Sequence, residues 1–304
     1  MKVRRKKFRL VDERALWLML IPVIAYFIIF KYIPVSGIII AFKRYSPFKG
    51  IAASPWVGFL YFKQFFHSVY FGRVLRNTLM IGFLSIIFEF PMPIILALLL
   101  NGIKNKIFKK ISQTITLLPY FVSFVVIAGI AINFLSPSTG VINGIIKRLG
   151  GNPIYFMQKP KYFWFIYIFL RIFKGTGYTA IIYLAALTAI DPNLYEAADC
   201  DGAGRFNKLI YITLPGILPT IMIMFLVRIG RLISVSFEEV LLLQNDVILS
   251  TAEVISTFVY RRGLIGADYS YATAVGLFET VIALFLVIFS NKLAGRFRSE
   301  ATLW

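Results

Sequence analysis

Six stretches of this 304-residue sequence stay apolar for about 18 residues or more, the length a helix needs to cross roughly 30 Å of hydrocarbon. They cover Ala15–Ala41, Val74–Leu100, Ser112–Leu135, Tyr162–Ile190, Gly216–Leu243 and Tyr269–Leu293. Composition agrees, since 59% of the residues are hydrophobic and the mean hydropathy is +0.77, against about 45–50% apolar residues in soluble domains. Nearly the whole chain is therefore membrane domain, with no soluble catalytic module left over. The first stretch exceeds the about 7–15 apolar residues of a signal peptide and lacks a small-residue cleavage site, so it stays as a helix. The expected fold is an all-α integral membrane protein of about six transmembrane helices, with a short cytoplasmic helix between the fourth and fifth. The expected divisions are a basic N-terminus (1–14), the first helix with an aromatic-rich external segment (15–73), a five-helix core (74–293) containing a connecting loop (191–215), and a tail (294–304).

The net charge of +19 is placed around the spans. Lys2, Arg4, Arg5, Lys6, Lys7, Arg9 and Arg14 precede the first span, and Lys104, Lys106, Lys109 and Lys110 separate the second and third. Arg205 and Lys208 lie between the fourth and fifth, and Lys292, Arg296 and Arg298 close the sixth. Positive residues collect on the cytoplasmic side, so both termini are expected there, in a multi-pass protein of the plasma membrane. The bias is modest because the outer loops are also basic. Anionic lipid accounts for this charge, and nucleic acid is not expected as a partner. The single cysteine, Cys200, permits no disulfide within the chain. With one histidine, His67, His/Cys metal clusters are excluded and a Cys–His nucleophilic pair is implausible. There is no G-x-x-x-x-G-K-[ST] phosphate loop, so any nucleotide energy must come from another polypeptide.

Against this background "DPNLYEAADCDGAG" is unusual, because it places Glu196, Asp199 and Asp201 within six residues of a chain holding 14 acids. Asp191 can cap a helix and Pro192 suits its first position. Gly202 and Gly204 can take the left-handed conformation that ends one. A short surface helix is expected here, with Ala197 and Ala198 leaving one face bare for a partner's backbone and Glu196 offering a carboxylate. The plainer interpretation is a solvated interfacial turn.

Glu196-Ala197-Ala198, Gly202, Ile212 and Leu214-Pro215 resemble, at every defined position, the E-A-A-x3-G-x9-I-x-L-P signature of ABC-importer permeases. "WVGFLYFKQFF" (Trp56–Phe66) is similar to an element after the first span of maltose-type sugar permeases. "RNTLMIGFLSIIFEFPMPIILALLLN" is similar to their second span. "TGYTAIIYLAALTAIDPNLYEAADCDGAGRF" and "YSYATAVGLF" resemble the branch tied to complex polysaccharides and oligosaccharides. The resemblance implies a non-catalytic transmembrane subunit of an ATP-driven importer that moves a glycan inward by alternating access. It implies that Glu196, Ala197, Ala198, Asp199 and Gly202 couple the chain to a cytoplasmic ATPase dimer. A second related permease forming a heterodimer and an extracellular solute-binding protein are the further partners implied. No cofactor would be bound by this chain, ATP and magnesium being used by the ATPase.

Ionisable residues inside spans are functional candidates, because burying them is costly unless they face water or a partner. Arg171 and Lys174 lie three apart in the fourth stretch, and Arg228 and Arg231 repeat that spacing in the fifth, with Glu238 seven beyond Arg231 on roughly the same face. Glu89 precedes Pro91 and Pro93, and Glu279 sits in the sixth. These groups either line a hydrated cavity between the fourth and fifth spans or pair with one another. Tyr178, Tyr183 and Phe237 lie near enough to offer ring faces to a sugar. The extra cation at Arg231 admits an acidic glycan. The aromatic segment Lys43–Phe71 and the loop Ser136–Pro153 each read as an interfacial element or as a docking surface for a solute-binding protein. A self-sufficient secondary transporter or channel for a polar or anionic solute is the alternative that the cavity charges alone support. An integral-membrane enzyme is disfavoured, for want of an acidic pair at metal-binding spacing and of a usable histidine.

Overall fold

The computed structural model describes residues 10–297, so most of the basic N-terminus and the end of the tail lie outside the described residues. Helix follows helix throughout, and the described residues hold no strand beyond an isolated bridge between Lys43 and Trp56. Five helices are long and apolar enough to cross a membrane: α1 (Trp17–Phe42), α2 (Val69–Asn101), α5 (Pro160–Thr188), α7 (Arg205–Gly230) and α9 (Tyr269–Lys292). Between α2 and α5 lie α3 (Lys106–Phe121) and α4 (Phe124–Phe134). The short α6 (Pro192–Cys200) joins α5 to α7, and α8 (Phe237–Leu243) follows α7.

Two expected spans take a different form. Ser112–Leu135 is not one rod, because α3 and α4 meet at 96°. Apolarity runs straight through the bend, but Val122 is extended and the Ser123 hydroxyl accepts from the Val126 N–H, starting a new helix. Gly216–Leu243 is likewise divided. In its place α7 begins at Arg205 and stops at Gly230, and the β-branched and serine-rich run Leu232–Ser236 leaves the helix before α8 begins.

The first helix stands almost wholly exposed, as a lipid-facing span can. The bundle is held by three buried clusters. Tyr167, Ile81, Phe124, Val240 and Leu243 join α5 to α2, α4 and α8. Phe65, Val74, Phe258 and Val275 join the aromatic segment to α2, to the stretch before α9 and to α9 itself. Ala97, Tyr183, Leu187 and Ile217 bind α2, α5 and α7 near α6. The aromatic segment is thus not one interfacial helix. Phe65 is buried against Phe71, Phe258, Tyr271 and Phe278, while Trp56 and Phe59 remain exposed.

On one face, the Asn77 amide donates to the carbonyls of Ser250 and Glu253, and Thr78 Oγ1 accepts from the Ile255 N–H. The Asn-Thr pair opening the second span thereby ties it to the loop between α8 and α9. The carboxylate of Glu253, itself 1% exposed, is held between Arg73 and Arg261.

Candidate functional site

Two places collect the singled-out residues. The first is α6. The Asp191 carboxylate accepts from the Asn193 N–H at 2.9 Å, and Pro192 fills the first turn. At the other end Gly202 has φ +73°, the Ala203 N–H reaches the Ala198 carbonyl at 2.8 Å, and the Gly202 N–H reaches that of Asp199 at 3.1 Å. This is the Schellman pattern, which needs a left-handed residue after the cap. Only Gly202 takes that role. Gly204 is extended (φ −67°, ψ 165°) and starts α7 instead.

Two contacts from α6 and one from the linker before it fix this segment to the membrane helices. Tyr195 Oη meets Thr213 Oγ1 at 3.0 Å, Lys208 pairs with Asp199, and a side chain at Gly216 would collide with Ile190. Glu196 and Ala197 stay exposed, whereas Ala198 is half-buried. The helix is therefore capped at both ends, tied to the start of α7, and open on the face carrying Glu196.

The second place is a charged cluster between α2, α5, α7 and α8. Glu89 ends a wide π-type turn, in which the Phe90 N–H reaches back to the Ser85 carbonyl just ahead of Pro91. Arg171 grips Glu89 with both prongs, Nε to Oε2 at 3.0 Å and Nη2 to Oε1 at 3.2 Å. Arg228 pairs with the same carboxylate. The remaining Nη1 of Arg171 donates to Glu239 Oε2 at 2.5 Å and to Tyr167 Oη at 3.2 Å, and Tyr167 Oη donates to Glu239 Oε2 at 3.1 Å. Such bidentate, charge-assisted bonds are the strong ones.

Two cavities flank this cluster. One of about 280 Å³ is lined by Arg171, Arg228, Arg231, Glu239, Ser234 and Ser236, among others. The other, of about 240 Å³, is lined by Glu89, Thr176, Tyr178, Tyr183, Arg228 and Arg231, among others. Both alternatives for the span charges thus occur together, since Glu89 pairs with two arginines and the same arginines line cavities.

The remaining candidates fall differently. Lys174 leaves the cluster and donates to the carbonyls of Val122 (2.5 Å) and Tyr120 (3.5 Å) at the bend between α3 and α4. Three residues along a helix also turn the side chain by about 60°, enough to give Arg171 and Lys174 different neighbours. Glu238 is exposed and lines neither cavity, because the helix that would have carried it into register with Arg231 ends at Gly230. The adjacent Glu239 occupies that place, and sequence reasoning passed over it. Tyr178 stacks on Tyr120 with ring centres 4.0 Å apart. Phe237 packs on Tyr260 and, with Glu279, lines a separate groove of about 660 Å³. Among the described residues Glu279 has no ion pair.

Residues 89–299 match the family described as "Binding-protein-dependent transport system inner membrane component". The chain is 44% identical over 288 residues to protein LplB of Bacillus subtilis (strain 168), covering 95% of this chain and 91% of that one. It is 42% identical over 299 residues to the polygalacturonan/rhamnogalacturonan transport system permease protein YteP of the same organism, covering 98% and 93%. Among solved structures it superposes with a TM-score of 0.88, at 44% identity, on a chain of a bacterial ABC transporter involved in the import of the acidic polysaccharide alginate, covering 94% of this chain and 97% of that one. A second structure, of a bacterial alginate ABC transporter in complex with an alginate pentasaccharide-bound periplasmic protein, gives 0.87 at 43% identity, covering 94% and 96%. The chain therefore belongs to the inner-membrane components of binding-protein-dependent transport systems, the non-catalytic permease subunits of ABC importers.

Proposed function

We propose that this permease carries an oligosaccharide or polysaccharide-derived glycan into a bacterial cell by alternating access. On this reading both termini and α6 face the cytoplasm, a second related permease completes the pathway, and a paired ATPase supplies the energy. An extracellular binding protein delivers the solute.

The observation that carries the reading is α6: a two-turn helix, capped at both ends and fixed to α7, with Glu196 and Ala197 turned outward. Because Tyr195 and Asp199 tie it to Thr213 and Lys208, a push on α6 reaches the foot of α7 without being absorbed by a loose loop. The far end of α7 bears Arg228 and Arg231, which border both cavities. One rigid body so links the docking face to the charged cluster, and two states of the ATPase bias two arrangements of the bundle to the extent that docking differs between them. Residues proposed for coupling are Glu196, Ala197, Ala198, Asp199 and Gly202. Those proposed for the solute path are Arg171, Tyr178, Arg228, Arg231 and Glu239.

The test is reconstitution with the ATPase, the second permease and the binding protein. Glu196→Lys is expected to abolish ATPase docking and ATP-driven uptake while the bundle stays folded by circular dichroism. Uptake by the isolated chain, indifferent to ATP and to Glu196, would refute it.

A further inference from the structure

Three guanidinium groups face two carboxylates in the cavity walls. Glu89 is shared by Arg171 and Arg228, and Glu239 is taken by Arg171 and Tyr167. Arg231 is left over. Among the described residues no acid pairs with its side chain, although the chain is numbered only seven short of Glu238, which lines neither cavity. Arg231 caps the end of α7 and, like Arg228, borders both cavities, but Arg228 is paired with Glu89 and Arg231 is not. Around it lie neutral hydrogen-bonding groups, Ser85, Ser234 and Ser236 in one cavity, Thr176 and Thr179 in the other. Tyr183, 0% exposed and also lining the second cavity, has a buried Oη with no hydrogen-bond partner. Hydroxyl-rich walls suit a polyol, and a cleft with surplus positive charge and low-dielectric walls concentrates anions.

From this surplus we infer that the solute bears carboxylates, as an oligosaccharide of uronic acids does, and that Arg231 is the specificity residue that receives them. A guanidinium presents paired donors matched to a carboxylate, and here that fork is unengaged. The sugar hydroxyls exchange hydrogen bonds with the serine, threonine and Tyr183 groups. The inference rests on the glycan-permease reading and narrows it.

The test uses the full complex in nanodiscs, with tetragalacturonate and its fully methyl-esterified, uncharged counterpart as probes. Equilibrium binding to the permease pair is measured without the binding protein, and uptake is measured with it in proteoliposomes. Wild type is expected to bind the charged probe more tightly than the ester. Arg231→Gln should weaken the charged probe at least about thirtyfold and leave the ester unchanged, the penalty for removing one partner of a charge pair. Arg231→Lys should restore most of the loss. Equal weakening of both probes, no change in either, tighter binding of the ester by wild type, or separation of the two permeases in Arg231→Gln would each overturn the assignment. A wild-type complex that imports a neutral oligosaccharide and not the charged one overturns only this inference. One that moves no glycan at all overturns the broader reading with it.

Discussion

Arg171 and Glu89, 82 positions apart in the chain, meet side-on within the membrane with two parallel contacts of 3.0 and 3.2 Å. Because Arg228 shares that carboxylate, Glu89 joins α2, α5 and α7. Glu89→Gln keeps the shape and removes the charge, stranding Arg228 and leaving Arg171 with Glu239 as its acidic partner. Breaking a buried pair from one side costs about 3–5 kcal/mol. Thermal unfolding in detergent should show a large drop, and adding Arg228→Gln should recover part of it. An unchanged midpoint in Glu89→Gln would remove the carboxylate from the frame of the bundle.

Gly177 is where α5 crosses α3. A methyl group there would run into the backbone carbonyl of Thr116, which cannot swing aside as a side chain can. Gly177→Ala should therefore force the helices apart and destabilise the bundle by about 1–3 kcal/mol. Gly175→Ala, two residues earlier in open space, is the control expected to be silent in the same melt.

At the end of α6, Gly202 and Gly204 separate conformation from space. A Cβ would meet nothing at either position, yet only Gly202 has positive φ. Gly202→Ala should weaken the cap by roughly 1 kcal/mol, seen as faster amide exchange across 196–203 and reduced ATP-driven uptake. Gly204→Ala should change neither measurement.

Glu253 offers a test away from the cavities. Its carboxylate is buried between Arg73 and Arg261, and its carbonyl takes the Asn77 amide. Asn77→Ala leaves the carbonyls of Ser250 and Glu253 short of that donor and should cost about 1–3 kcal/mol. Protease cleavage in the loop 245–254 should then become faster while the remainder of the bundle resists.

The sequence made α6 readable because its signals are local: Asp191, Pro192 and Gly202 each act within one turn. Span length did the same for α1, α2, α5 and α9. What hydropathy could not show was a break that costs no apolarity. Val122 and Ser123 sit between Phe121 and Phe124, and the lysine occupying the carbonyls there comes from α5. The choice between Glu238 and Glu239 failed for a related reason. A seven-residue spacing places two side chains on one face only if the helix continues, and this one stops at Gly230. The burial of Val240 and Leu243 sets the face of α8, and with it which of two neighbouring acids turns inward. Glu253 pairs with Arg261, eight residues on, and with Arg73, 180 residues back, a distance over which no local pattern in the chain could tie them.

The bend at Val122 bears on how the protein is made. Two carbonyls there, Tyr120 and Val122, are served by Lys174, which lies 54 and 52 residues further on. In hydrocarbon each unserved backbone group costs several kcal/mol. A ribosome that has just extruded α3 and α4 has not yet polymerised their donor. The bend therefore gains its lysine only once α5 has been made, with Lys174 closing on it as a late clasp.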